Sequence, residues 1–299
     1  MDEERRESFP LHRAVEYRII QKINILLPKT QDINKKNDKG YSVFLIACEL
    51  QDYDEILDIL LTRKDIDLTV KNNDGFAALH ILAYKGNFRG IVKVLKAFPD
   101  VDIDMKNNKG NTPLMIACKM NYMRVIEYLL AKGADVTIEN EKKYTALHYA
   151  ANNGYTECVE LLIENGSNVN ATDDYGLTPL MKASKWGFTE TCEILLKHGA
   201  NVNYNCKYMT PLSSSCYNDT VELMRLLIAH KANVDFPGSY SSALISCARL
   251  GSYECAKELI KARVKVHGKM NNGKAAVDIA RENGHMELVA LLSRYDTFY

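Results

Sequence analysis

The chain has no excess charge of either sign: among 299 residues, 38 lysines and arginines meet 38 aspartates and glutamates. With no net field to gather polyanions or anionic lipid, nucleic acid is not expected among its ligands. Long apolar runs are missing too. Stretches such as Ile23 to Pro28 and Ile56 to Leu61 fall far short of the ~20 residues a spanning helix needs, so no membrane insertion is expected. The opening Met1-Asp2-Glu3-Glu4-Arg5-Arg6-Glu7 is densely charged and no apolar segment follows it. A secretory signal is therefore not expected, and the compartment read from this is the cytoplasm, with the cytoskeleton or nucleus as alternatives. Eight cysteines are scattered without the close pairs of a metal site and read as reduced thiols. What remains is an ordinary soluble composition, 46% hydrophobic and 25% charged, which excludes bulk disorder.

The order of residues is less ordinary. A tripeptide made of a small or hydroxyl residue, then Pro or a small residue, then Leu recurs along the whole chain. Thr112-Pro113-Leu114, Thr145-Ala146-Leu147, Thr178-Pro179-Leu180 and Thr210-Pro211-Leu212 are the clear copies. Degenerate ones are Phe9-Pro10-Leu11, Ser42-Val43-Phe44, Ala77-Ala78-Leu79, Ser242-Ala243-Leu244 and Ala275-Ala276-Val277. Their first positions are 9, 42, 77, 112, 145, 178, 210, 242 and 275, so the spacing stays between 32 and 35 residues. Within each copy the same order returns: a polar turn, the tripeptide, a pair of small residues, a glycine or polar turn, and an apolar-periodic run. Residues 173–203 show it in full, from Asp173-Asp174-Tyr175-Gly176 through Ala183-Ser184 and Glu193-Ile194-Leu195-Leu196 to Gly199-Ala200-Asn201-Val202-Asn203.

This pattern resembles the ankyrin-repeat family, whose unit is a β-turn and two helices with a period near 33 residues. The resemblance implies an all-α repeat solenoid of helix-turn-helix units joined by β-hairpin loops, with about nine repeats. They would begin near residues 8, 37, 72, 107, 140, 173, 205, 237 and 270. A single solenoid over 8–295 would form one bowed rod, leaving a charged segment at 1–7, a tail at 296–299 and no room for a fused catalytic module. Threonine suits the N-cap of each first helix and proline its first turn. Gly133, Gly166 and Gly199 stand where a second helix would end in a left-handed cap. Departures of two kinds are expected. Extra residues near Arg63-Lys64-Asp65 and Phe98-Pro99-Asp100 lengthen a second helix or its exit loop. Tyr208, Tyr240 and Pro237 replace usual turn residues and should distort their turns.

No residue set reads as catalytic, and no cofactor or metal site is expected. His12, His80 and His148 follow the tripeptide's Leu, where the resemblance implies a hydrogen bond to neighbouring hairpin backbone. His198 and His230 stand at second-helix ends, where partial positive charge suits the dipole. Cys48, Cys118, Cys216 and Cys247 fall in the small-residue pair, while Cys158, Cys192 and Cys255 take apolar second-helix positions; all seven read as core fillers. Cys206 alone lies in a hairpin and is expected to be exposed, without a base to activate it. Gly86-Asn87-Phe88-Arg89-Gly90 is expected to be an inter-helix turn and not a phosphate loop, since no strand or Lys-Ser/Thr follows it.

Function is then expected on the face formed by hairpin tips and first-helix ends. The slot before the tripeptide holds Tyr41, Phe76, Asn111, Tyr144, Leu177, Met209, Ser241 and Lys274, an unusually apolar row unless it packs on adjacent hairpins. The slots after the small pair hold Tyr84, Lys85, Lys119, Met120, Asn152, Asn153, Lys185, Trp186, Tyr217, Asn218, Arg249 and Leu250, including the chain's single tryptophan. Protein interfaces enrich Trp, Tyr, Met and Arg. The expectation is a non-enzymatic scaffold or adaptor, monomeric by itself, whose protein partner meets Phe76, Tyr84, Met120, Tyr144, Trp186, Met209 and Tyr217. The alternative is a brace on a cytoskeletal or other multi-subunit assembly, contacting the second-helix face through lysines such as Lys93 and Lys257. Activity embedded in the repeats is a weaker alternative. So is modification of a hairpin asparagine such as Asn170, which rests on family analogy alone.

Overall fold

The computed structural model describes residues 9–50, 54–206, 209–236, 242–270 and 273–295. The segments 1–7 and 296–299, together with Pro237, Tyr208, Tyr240 and Ser241, lie outside them. Contacts cluster into two compact units, Met1–Glu141 and Lys142–Tyr299, and each is described by itself.

In the first unit the helices come as four pairs: α1 (Pro10–Glu16) with α2 (Ile20–Leu26), α3 (Val43–Glu49) with α4 (Asp54–Leu60), α5 (Ala78–Lys85) with α6 (Phe88–Ala97), and α7 (Pro113–Met120) with α8 (Met123–Ala131). Each first helix packs on its own second helix and on the first helices of neighbouring pairs. That arrangement encloses it from three sides. In α3 and α7 every residue from Val43 to Cys48 and from Pro113 to Cys118 is buried, so these helices are apolar all round and short. Second helices keep only one apolar stripe, as Val125, Ile126 and Leu129 do in α8.

The second unit holds five pairs: α9 (Ala146–Asn152) with α10 (Thr156–Glu164), α11 (Pro179–Trp186) with α12 (Thr189–Lys197), α13 (Pro211–Ser215) with α14 (Val221–Ala229), α15 (Ala243–Leu250) with α16 (Tyr253–Lys261), and α17 (Ala276–Glu282) with α18 (Met286–Ser293). First helices stack on first helices and second on second, as in the first unit. The helix α13 is the exception in length, because a 3-10 turn at Cys216–Asn218 replaces its last turn.

Helix starts follow the capping chemistry of the tripeptide. The Thr112 and Thr178 hydroxyls accept from the backbone N–H of Met115 and Met181, both at 3.3 Å, and proline takes the first helical position where no N–H is needed. Second helices end as expected at Gly133, Gly166 and Gly199, with φ of 87°, 93° and 86°. In each case the next amide reaches back into the helix, as Ala134 N does to Leu129 O at 3.0 Å. Where glycine is lacking, Lys231 and Arg263 adopt the same left-handed backbone at φ 66° and 62°.

The connecting hairpins are tight turns without a strand ladder among the described residues. The Asn37, Asn72, Asn107 and Asp173 side chains each accept from two backbone amides of their own turn, for example Asp173 Oδ1 from Tyr175 N at 3.0 Å and Leu177 N at 2.7 Å. The extra residues after α4 enter the exit loop and leave the helix itself unextended. There Arg63 donates to Leu27 O at 3.0 Å and Thr30 O at 3.1 Å and pairs with Asp65, closing the bulge. Cys206 corrects its expectation. Its amide and carbonyl pair with Met209 in an isolated antiparallel bridge, and its side chain is buried.

Candidate functional site

The histidines that follow the tripeptide work as joints. His80 Nδ1 accepts from the Ala77 amide at 3.2 Å, and Nε2 lies 3.0 Å from Asn111 O. His148 repeats this with Thr145 N at 3.1 Å and Leu177 O at 3.2 Å, and His12 Nε2 meets Lys35 O at 2.9 Å. Accepting at Nδ1 places the proton on Nε2, so the neutral ring links its own helix start to the next hairpin. Burial lowers both His80 and His148 to about 4, which keeps them uncharged near neutrality.

The thiols offer no nucleophile. All eight cysteines are free and buried. Burial drives Cys48, Cys247 and Cys255 well above the ordinary thiol value and Cys192 up to about 12. Although Cys216 and Cys247 approach to 3.3 Å, both are fully enclosed. Among the described residues no group of three His, Cys, Asp or Glu side chains is arranged to hold a metal ion.

The residues picked out for partner binding fall into small clusters. In the first unit Phe76 is half-buried in its turn, its ring 5.8 Å from His80 and 6.4 Å from Tyr84 at the end of α5. Tyr84 is 48% exposed, with the Lys85 ammonium 5.9 Å from its ring. Met120 ends α7 and is half-buried.

In the second unit Trp186 and Tyr217 come together around a cation. Trp186 closes α11 and is 51% exposed; Tyr217 lies in the 3-10 turn after α13 and is 46% exposed. The Lys185 ammonium sits 5.8 Å from the indole and 5.2 Å from the Tyr217 ring. Two asparagines hold the arrangement: Trp186 Nε1 donates to Asn152 Oδ1 at 3.2 Å, and Asn218 Nδ2 donates to Lys185 O at 3.0 Å. Met209 is half-buried in the bridged turn with Cys206.

Tyr144 belongs to a different environment. Its hydroxyl accepts from Lys182 Nζ at 2.5 Å, and that ammonium also meets Asp173 at 2.7 Å, with side-chain exposures of 9% for the lysine and 0% for the aspartate. Burial opposes the Lys182 charge, but hydrogen bonds with Asp173 and Tyr144 outweigh it and hold its pKa above the ordinary value. This buried pair was missed from sequence. The signal was available: Lys182 occupies the slot held by Ile46, Ile81 and Ile116 in earlier copies.

Hairpin asparagines are also engaged. Asn170 Oδ1 accepts from Asn201 N at 2.8 Å and its Nδ2 donates to Gly199 O at 3.1 Å, so both amide atoms tie neighbouring turns.

Paired short helices, repeated at a fixed period and stacked like on like, define a helical repeat protein with a face built from turns and helix ends. The chain belongs to the ankyrin-repeat family: the family model for ankyrin repeats matches residues 44–140, 138–206 and 204–269. Ankyrin repeats generally mediate protein–protein interaction. No curated protein matches the chain. Among the described residues no helix is long and apolar enough to cross a membrane.

Proposed function

We propose that the chain is a non-enzymatic adaptor that binds a protein partner through hairpins and first-helix ends. Residues 9–141 present Phe76, Tyr84 and Met120, and residues 142–295 present Tyr144, Trp186, Met209 and Tyr217. The pairs at 9–29 and 276–293 count as further repeats beyond the matched segments, which makes nine. The protein works as a monomer in the cytoplasm, a compartment that suits eight free thiols.

The observation that carries this reading is the half-exposed Trp186 and Tyr217 held in place by Asn152, Lys185 and Asn218. Large aromatic surface that is both exposed and already ordered loses little freedom on binding, which is how interface anchors gain their energy. The second-helix face supports a brace less well, because the lysines expected to reach a partner are already paired within the fold. Lys93 pairs with Asp58, Arg225 and Lys261 with Glu258, and Lys257 with Glu254.

The test is affinity purification from native cells with the wild-type chain and with Trp186→Ala/Tyr217→Ala. A protein retained by the first and lost from the second is expected, since each truncation at an anchor costs about 1 kcal/mol or more. Identical partners at equal yield would overturn the assignment of Trp186 and Tyr217 to the binding face.

A further inference from the structure

The row of first-helix ends in the second unit has a chemistry more specific than aromatic stickiness. From α9 to α15 it runs Asn152, then Lys185 and Trp186, then Tyr217 and Asn218, then Arg249 and Leu250. Trp186, Tyr217 and Leu250 are exposed apolar surface, and Arg249 is exposed beside them. Two cations therefore stand among three exposed apolar side chains over three consecutive pairs. The one carboxylate in the row, Asp219, is spent on the start of α16, accepting from Cys255 N at 2.8 Å and Glu254 N at 3.2 Å. The acids of the adjoining second helices, Glu157, Glu190 and Glu222, stand in first turns, where the helix dipole stabilises them.

We propose that this row takes an extended acidic peptide segment of a partner protein. Its carboxylates meet Lys185 and Arg249, and its apolar side chains lie on Trp186, Tyr217 and Leu250. The inference rests on the adaptor reading above and deepens it by naming the partner's chemistry. Charge complementarity favours it, because both cations of the row stand beside exposed apolar surface where a carboxylate would be drawn in and partly desolvated. A nucleic acid would also offer negative charge and stacking faces. Its affinity depends on neutralising many phosphates, however, and two cations on a chain of zero net charge provide little of that.

Trp186 is the chain's single tryptophan, so its fluorescence reports this site alone. The full-length protein is titrated with short tryptophan-free peptides in which Asp or Glu alternates with Leu and Ser. The parallel titrations use the same peptides with Lys replacing the acids, and oligouridylate. A saturable change with the acidic peptides is expected, weakening with added salt and absent with the basic ones. Arg249→Glu alone should weaken it about tenfold, and Lys185→Glu/Arg249→Glu should weaken it further, with unchanged circular dichroism. No saturable change with the acidic peptides, equal affinity for the charge-reversed chain, or tighter binding of oligouridylate would each overturn the inference. A cellular partner lost from Trp186→Ala/Tyr217→Ala but kept by Lys185→Glu/Arg249→Glu would overturn it too, while leaving the adaptor reading intact.

Discussion

Two neighbouring pairs in the second unit begin with the same three residues and end differently. Thr178-Pro179-Leu180 opens α11, which runs for eight residues, whereas Thr210-Pro211-Leu212 opens α13, which stops after five. Both starts are capped by threonine, so the cause lies further on. In α13 the next residues are Ser213, Ser214 and Ser215, all buried. Ser214 Oγ donates to Thr210 O at 2.8 Å and Ser215 Oγ to Leu212 O at 2.8 Å, competing for carbonyls that the helix ladder also uses. Side chains that compete for helix carbonyls tighten the last turn, and a 3-10 turn follows. In α11 the same slots hold Met181 and Lys182, and Lys182 spends its polarity sideways on Asp173 and Tyr144. A good cap starts a helix; the next three side chains decide its length.

The sharpest way to break this contrast is at Lys182. Lys182→Met should destabilise the protein by about 3 to 5 kcal/mol in urea unfolding, because it leaves the Asp173 carboxylate buried and unpaired. Lys182→Met/Asp173→Asn should recover much of the loss. The corresponding change one copy later, Ser214→Ala, should cost less than about 1 kcal/mol, since helix propensity offsets the lost hydrogen bond.

A second contrast is in pH. His148 and Ser213 occupy the same position two copies apart and hold the same kind of N-cap amide, but only the imidazole titrates. His148 and His80 bind a proton at about 4 when folded and near 6.5 when unfolded, so the unfolded chain takes up more protons between those values. Their stabilisation is therefore complete above about pH 6.5 and is lost as pH falls toward 4, by at most about 3 kcal/mol each. Unfolding free energy measured across that range should fall with acid, and His148→Ser should reduce the slope. An unchanged slope would mean that the His148 ring is already charged in the fold.

The smallest effects concern the helix ends. Gly199 adopts a left-handed backbone with open space where a Cβ would stand, and Lys231 adopts the same conformation one copy later. Gly199→Lys should cost about 1 kcal/mol, and Lys231→Gly should stabilise by a similar amount, both read as shifts in thermal midpoint. Arg263→Gly should act likewise.

The helix starts and the left-handed caps were legible in sequence because each depends on one residue at a fixed offset: Thr112 and Thr178 as caps, Gly133 and Gly166 as stops. The histidine joints were legible from the family resemblance. What escaped depends on residues that separate turns and helices bring together. The Lys182 partner sits in the preceding turn at Asp173, and Tyr144 lies a full copy earlier. Cys206 was misjudged because its burial accompanies a backbone bridge to Met209, which no single side chain announces. At the candidate site, the slots holding Trp186 and Tyr217 could be read directly, whereas the bridging place of Lys185 between their rings could not.

The histidine joints also give the array a direction. Each imidazole donates forward, from His80 to Asn111 and from His148 to Leu177. Trimming the protein from its C-terminal side therefore strands a donor in the last surviving helix, while trimming from the other side strands only a carbonyl, which water satisfies more readily. Shortened versions that end just after a histidine-bearing copy should tolerate truncation worst, and those that end after the serine of α13 should tolerate it best.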